Sequence, residues 1–115
     1  MAVKRMVLEL GMGTSLTQEN WTDAACRAVR DAIWHNSVTV ADAFGVGRDD
    51  MLIEAVIGAG DPAAVDTQAV AAVFPYGKVS VRVEQDGMSI PKDSGGHTIM
   101  ANAAIIVSLD LPEGA

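Results

Sequence analysis

The segment at residues 6–36 constrains the fold of this chain more than any other part of it. Residues 6–10 alternate along the chain, and this period of two predicts a strand whose Leu8 and Leu10 face the core. The Gly-Met-Gly triplet at 11–13 is predicted to end that strand in a tight corner, since glycine adopts backbone angles that other residues avoid. The fold is therefore expected to begin with a strand and a glycine corner.

A helix is predicted to follow, from Asn20 to Asn36, with Asn20 as its N-cap and Thr17 as an earlier alternative. Its apolar residues recur at helical spacing: Trp21, Ala25, Ala28, Val29, Ala32 and Ile33. Its other side carries a ladder of charged residues that is predicted to be solvated: Asp23, Arg27 and Asp31. Because one side is apolar, the helix must lie on a sheet.

The rest of the chain predicts three more strands and one short helix. The strands span residues 51–57, 78–84 and 98–111, and a helix capped by Asp66 spans residues 67–74. Residues 86–96 are rich in Gly, Ser, Asp and Pro, which predicts a flexible hairpin connection or a lid. These elements predict a single α+β domain over residues 1–115, a two-layer sandwich in which a mixed β-sheet carries two helices on one face.

The last predicted strand, residues 98–111, is apolar on both faces. Its even positions include Met100, Ala104 and Ile106, opposite a second apolar set at the odd positions. A strand of this kind needs a cover on each side, and the two predicted helices supply only one. The second cover is predicted to be another subunit, which makes the protein a homo-oligomer, a trimer or a higher assembly.

Composition excludes several classes of partner. Eight Lys and Arg against fifteen Asp and Glu give a net charge of −7, which repels phosphate backbones, so nucleic acid is not an expected partner. No apolar run approaches the roughly 20 residues of a membrane span, and the first residues lack the apolar region of a signal peptide. We therefore expect no membrane partner and a cytoplasmic protein.

Metal and cofactor sites are not predicted. Cys26 is the only cysteine and is interpreted as a packed thiol, so the chain forms no internal disulfide. His35 and His97 are the only histidines and have no partners at the spacing of zinc ligands. The sequence accordingly predicts no metal and no cofactor.

A ligand site is predicted where the first corner, the strand at 78–84 and the loop before the last strand meet. The corner is interpreted either as a tight turn that needs glycine or as a nest of backbone N–H groups that holds a small anion. Arg82 and Glu84 lie on the polar face of their strand, and His97 follows the flexible loop. The candidate residues are Gly11, Gly13, Thr14, Ser15, Thr17, Arg82, Glu84 and His97.

Several short blocks together resemble a small family of uncharacterised bacterial and plant proteins. The blocks are Gly11-Met12-Gly13, residues 28–33 with 35–37, Val73-Phe-Pro-Tyr-Gly77 and Gly87-Met88, and the resemblance covers residues 5–109. That family carries a Gly-x-Gly-x-Asp-x-His-Gly motif, in which this chain has Ser15 for the aspartate, Thr17 for the histidine and Gln18 for the last glycine. The resemblance implies that any chemistry of the Asp and His is lost and that the chain is a divergent paralogue, with a paralogous subunit in a mixed assembly as an alternative partner.

The order of elements, with Ala-Val-Phe-Pro at 72–75, is also similar to the trimeric chorismate mutases and YjgF-type trimers, whose ligands lie between subunits. Glu84 falls near the acidic substrate contact of the mutases. Glu9 and Asn102, however, fall where those enzymes have arginines, so the mutase activity is not transferred. Whether the protein is an enzyme stays open.

Two functions are therefore predicted. The first is the binding of a small anionic molecule in a cleft between subunits. The alternative is a non-catalytic structural or partner-binding subunit, which the replaced Asp and His favour.

Overall fold

The computed structural model of the protein describes residues 2–34 and 39–112. The strands are β1 (Ala2–Ser15), β2 (Leu52–Ala59), β3 (Lys78–Gln85), β4 (Met88–Pro91) and β5 (His97–Leu111). The α-helices are α1 (Trp21–Trp34), α2 (Val40–Ala43) and α3 (Thr67–Ala71), with single 3-10 turns at Arg48–Asp50 and Pro62–Ala64. His35 and the predicted helix end at Asn36 lie outside the described residues.

The described strands form one mixed sheet in the order β1-β5-β2-β3, with β4 paired to β5 beyond the end of β2. β5 runs antiparallel to β1, β2 and β4, whereas β2 and β3 are parallel. The parallel pair is joined by a crossover that contains α3, as parallel strands require. The predicted α+β class with a mixed sheet is confirmed.

Helix α1 packs on β1 and β5 through small side chains. Ala24, Ala28 and Ala32 of this helix are fully or almost fully buried. A Cβ built on Gly11 would lie 2.5 Å from Ala32 N, and one built on Gly13 would lie 2.7 Å from Arg27 Cβ. Both distances are shorter than real Cβ atoms tolerate. The two glycines therefore let the helix backbone approach the strand directly.

This packing overturns two predictions about β1. The strand does not end at a glycine corner but continues to Ser15, because the glycines accept a helix rather than turn the chain. Since side chains alternate along a strand, every odd position from Glu9 to Ser15 then faces the helices. Leu8 and Leu10 face away from the core and are 49% and 70% exposed, and Glu9 is buried in their place.

Both predicted helix caps are confirmed. Asn20 Oδ1 accepts a hydrogen bond from Asp23 N at 3.0 Å, so α1 starts where expected. Asp66 Oδ1 accepts hydrogen bonds from Gln68 N and Ala69 N at 3.0 and 3.3 Å at the start of α3. α3 ends at Ala71, earlier than the predicted residue 74.

Residues 86–96 are not a lid, because they contain β4. Ser89 pairs with Ile99 and Pro91 with His97, which forms a hairpin with β5. Its turn is closed by hydrogen bonds between Lys92 N and Gly96 O and between Gly95 N and Lys92 O. The alternative prediction, a hairpin connection, is the correct one.

The two faces of β5 have different surroundings. Its odd positions from Ile99 to Leu111 are at most 3% exposed and lie on the side of the helices. Its even positions, including Met100, Ala104 and Ile106, are only partly buried, since the opposite side of the sheet carries no layer of described residues. Both apolar faces were predicted, and the helices cover one of them.

Cys26 lies in the helix layer and is 8% exposed. Desolvation by burial raises the pKa of its thiol. A raised pKa lowers the fraction of reactive thiolate, which agrees with the predicted packed thiol.

Candidate functional site

The residues predicted for the first corner are held by local structure. Ser15 is 3% exposed, and its Oγ accepts a hydrogen bond from Asn20 N at 3.1 Å. Ser15 and Thr17 line a shallow pocket beside α1 together with Asp23 and Arg27. Ser15 thus fixes the loop that leads into the helix.

Gly11, Gly13 and Thr14 do not form an anion nest. The two glycines lie under α1, and Thr14 O accepts a hydrogen bond from Arg27 Nη1 at 2.6 Å. Met12 N donates to Asp31 Oδ2 at 3.0 Å. The charged ladder of α1, predicted to be solvated, therefore uses two of its side chains to cover the open edge of β1.

His97 lies at the same end of the sheet as Ser15, since Ser15 pairs with Ile99. Its Nδ1 is 3.2 Å from Glu19 Oε1. Thr98 Oγ1 also donates to Leu16 O at 3.1 Å, so the loop at residues 16–20 is tied to the start of β5. His97 has a carboxylate partner in this loop.

Arg82 and Glu84 lie on β3, at the opposite edge of the sheet. Three strand spacings separate β3 from β1, which is about 14 Å. Arg82 Nη2 lies 3.6 Å from Glu54 Oε1 and 3.5 Å from Glu84 Oε1, so two carboxylates offset its charge. The predicted site residues therefore fall into two separate groups within one chain.

A cavity of about 160 Å³ lies on the helix side of the sheet, beside the last turn of α1. Glu9 supplies its carboxylate, and Ile105 and Val107 of β5 are among its apolar walls. Phe74 and Tyr76, from the segment before β3, close another side. The cavity is therefore largely apolar, with one carboxylate that is 5% exposed.

Glu9 was not predicted as a site residue, although a signal for it exists in the sequence. Gly11 and Gly13 are small enough to pack against the alanines of α1, so both glycines lie on the helix side of the strand. Glu9 is also at an odd position, and since side chains alternate along a strand, it must face the same side. A hydrophobic pattern alone points to Leu8 and Leu10 instead, because both faces of β1 offer apolar residues.

The opposite side of the sheet presents a patch that we call the open face. It consists of Leu8, Leu10, Met12, Val56, Ala104 and Ile106. Leu8 pairs with Ile106 and Leu10 with Ala104, which in turn pairs with Val56, so these side chains form a contiguous surface across three strands. Leu10 and Met12 are 70% and 61% exposed.

Comparison with known protein families identifies this chain. Residues 5–107 match a family described as conserved hypothetical protein (Lin0512_fam). The chain belongs to the Lin0512_fam family. This confirms the predicted membership of an uncharacterised conserved family.

The fold of this Lin0512_fam protein is also found in a crystal structure. It is similar to an FtsZ-like protein of unknown function from Nostoc punctiforme PCC 73102, with a TM-score of 0.89 and 33% sequence identity. The alignment covers 96% of this chain and 99% of the other. No functionally curated protein matches the chain. The resemblance to chorismate mutases and YjgF-type trimers and the degenerate motif stay predictions.

Two further observations concern partners of this Lin0512_fam protein. Within residues 2–34 and 39–112, no three His, Cys, Asp or Glu side chains are grouped so that they could hold a metal ion. None of the helices in these ranges combines the length and the apolar character needed to cross a bilayer.

Proposed function

We propose that this protein is a homo-oligomeric subunit whose copies pack together through the open face of the sheet. The observation that carries the proposal is the exposure of Leu8, Leu10 and Met12 beside Ala104 and Ile106. Soluble monomers seldom expose a contiguous apolar surface of this kind. A second copy of the chain is the occupant that we propose for it.

The size of the sheet supports this occupant. From strand spacing and rise per residue, the side of the sheet without helices measures roughly 700 Å². A typical stable interface buries about 800 Å² on each partner. Contact over this whole side of the sheet, with the open face as its apolar part, would therefore bury an area close to that of stable complexes.

The shape of the chain points the same way. Its Cα radius of gyration is 15.7 Å and its extents are 58 × 24 × 19 Å. A compact domain of this length has a radius of gyration of about 13 Å. The protein is a thin slab of one sheet and one helix layer, and assembly would supply the missing third layer.

The distribution of charge favours contact between copies through the apolar open face. The net charge of −7 opposes approach between most parts of two copies. On this side of the sheet, however, Arg82 and Glu84 lie on the edge strand β3 and Glu54 lies on β2 beside Ile106, and Arg82 is flanked by the two carboxylates. This side therefore carries both signs of charge, so two copies can pair Arg82 of one with a carboxylate of the other.

The non-catalytic role is favoured over an anion-binding cleft between subunits. Arg82 lies at the rim of the open face and would reach such a cleft, but its two carboxylate neighbours weaken its attraction for an anion. The trimer or higher assembly implied by the resemblance to YjgF-type proteins is the stoichiometry that we expect. A paralogous subunit is the alternative partner for the same face.

The assembly is tested by multi-angle light scattering at micromolar concentrations. We expect a particle of at least three times the 12.0 kDa chain mass, because the open face is too apolar to remain in water. The same measurement on the chain co-expressed with a paralogous subunit tests that alternative partner. A purified chain that scatters as a 12.0 kDa particle over the whole concentration range contradicts the homo-oligomer.

A further inference from the structure

The cavity beside the end of α1 combines an apolar wall with a buried carboxylate. We propose that it binds a small organic cation, an ammonium group attached to a single ring or a short branched chain. The cavity is on the helix side of the sheet, opposite the open face, so this proposal is independent of the assembly described above. Its success or failure leaves the oligomer untouched.

Glu9 selects the charge of the ligand. It is 5% exposed and lies among Ile33, Ile105 and Val107, where water solvates a carboxylate poorly. A carboxylate offers about four lone-pair sites on two oxygens, so it can accept from a ligand ammonium as well as from a group of its own chain. A charge-assisted hydrogen bond of this type is among the stronger polar contacts. An anionic ligand would be repelled.

The volume limits the size of the ligand. A cavity of about 150 Å³ with apolar walls holds one benzene molecule, and the cavity here measures about 160 Å³. One ring with a one-carbon ammonium arm therefore fits, with the ring among the apolar walls and the ammonium on Glu9. Larger amines would have to protrude.

The aromatic wall suits a cation as well. Phe74 and Tyr76 line the cavity, and ring faces attract cations. The guanidinium carbon of Arg48 lies 5.6 Å from the centroid of the Tyr76 ring, and Arg48 Nη2 lies 3.8 Å from Asp42 Oδ2. These contacts restrain the Tyr76 ring at the cavity wall.

Three probes of one shape test the proposal on the intact chain: benzylamine, benzyl alcohol and benzoate. In NMR titrations that follow the methyl groups of Ile105 and Val107, we expect benzylamine to bind with a Kd of roughly 0.1–1 mM. Benzyl alcohol should bind about 10- to 100-fold more weakly, and benzoate should not shift these signals. Equal binding of benzylamine and benzyl alcohol, or benzylamine shifts that avoid both residues, would overturn the proposal.

Variants separate the carboxylate from the cavity. Glu9→Gln keeps the shape and should weaken benzylamine binding at least about tenfold, whereas the control Asp93→Asn, exposed in the turn between β4 and β5, should leave it unchanged. Ile33→Phe fills the cavity from α1 and should abolish binding with Glu9 intact. If Glu9→Gln does not fold, the proposal is tested by the comparison of the three probes and by binding to Ile33→Phe. Undiminished binding to Ile33→Phe places the amine elsewhere and rejects the site.

Discussion

Replacing Gly13 with alanine is expected to lower the free energy of unfolding by about 3 kcal/mol. The added Cβ would lie 2.7 Å from Arg27 Cβ and closer still to backbone atoms of Ala24 and Ala28. The obstacle is the helix backbone rather than a movable side chain, so α1 must shift away from β1. Urea denaturation at one fixed protein concentration measures the loss through the midpoint.

Gly47→Ala is the matched control for this change. Gly47 has φ −65°, which alanine adopts freely, and its Cβ would lie 3.4 Å from Asp50 Oδ2. We expect no loss of stability and a gain of up to about 1 kcal/mol, because alanine lowers the conformational entropy of the unfolded chain. If Gly13→Ala were as mild as the control, the close packing of α1 on β1 would be wrong.

Leu10→Lys is expected to dissociate the oligomer into single chains. Leu10 is 70% exposed in one chain, so a lysine there costs the isolated subunit little. In the proposed assembly the same position, on β1 beside Ala104, is covered by another copy, where an ammonium would be buried without a partner. Light scattering should show the mass falling to the 12.0 kDa of the chain, with the circular dichroism spectrum retained.

Leu16→Lys controls for the added charge and for the loss of an exposed leucine. Leu16 is 62% exposed and follows β1 in the loop at residues 16–20, away from the open face. Its variant should keep the mass of the wild type. Retention of the oligomer in Leu10→Lys, or its loss in both variants, would show that the copies meet elsewhere.

The elements that could be predicted from the sequence are those with a local signal. The alternation at residues 78–84 identified β3 within one residue at its end, and Asp66 marked the start of α3 through its own hydrogen bonds. The run at 98–111 identified β5, and its two apolar faces implied a second cover. Periodicity and capping depend on neighbours along the chain, so they can be read without the fold.

The orientation of β1 could not be derived from periodicity. At residues 6–10 both faces of this strand are apolar apart from Glu9, so the pattern fits two opposite registers, and a shift by one residue exchanges the faces. The choice is made by Gly11 and Gly13, which meet alanines of α1 more than ten residues later in the chain. That signal appears only once strand and helix are considered as a pair.

Within one chain, the predicted site residues stay apart for a topological reason. Arg82 and Ser15 were expected to meet at a sheet end or across a subunit boundary, and in one chain β5 and β2 lie between their strands. Strand order depends on how a late segment, here β5, inserts beside β1, and a single sequence carries no local signal for that. The cavity at Glu9 was missed together with the orientation of β1, since both depend on the same glycines.

The covering of the open face by other copies can be measured through the methionine methyl groups. With a soluble paramagnetic agent, Met51 is the internal reference for burial at 0% exposure, and Met12 is 61% exposed in one chain. The account predicts that the Met12 methyl of the wild type is protected nearly as well as that of Met51, and that Leu10→Lys exposes it. Strong relaxation of the Met12 methyl in the wild type, at a concentration where the protein is assembled, would contradict the account.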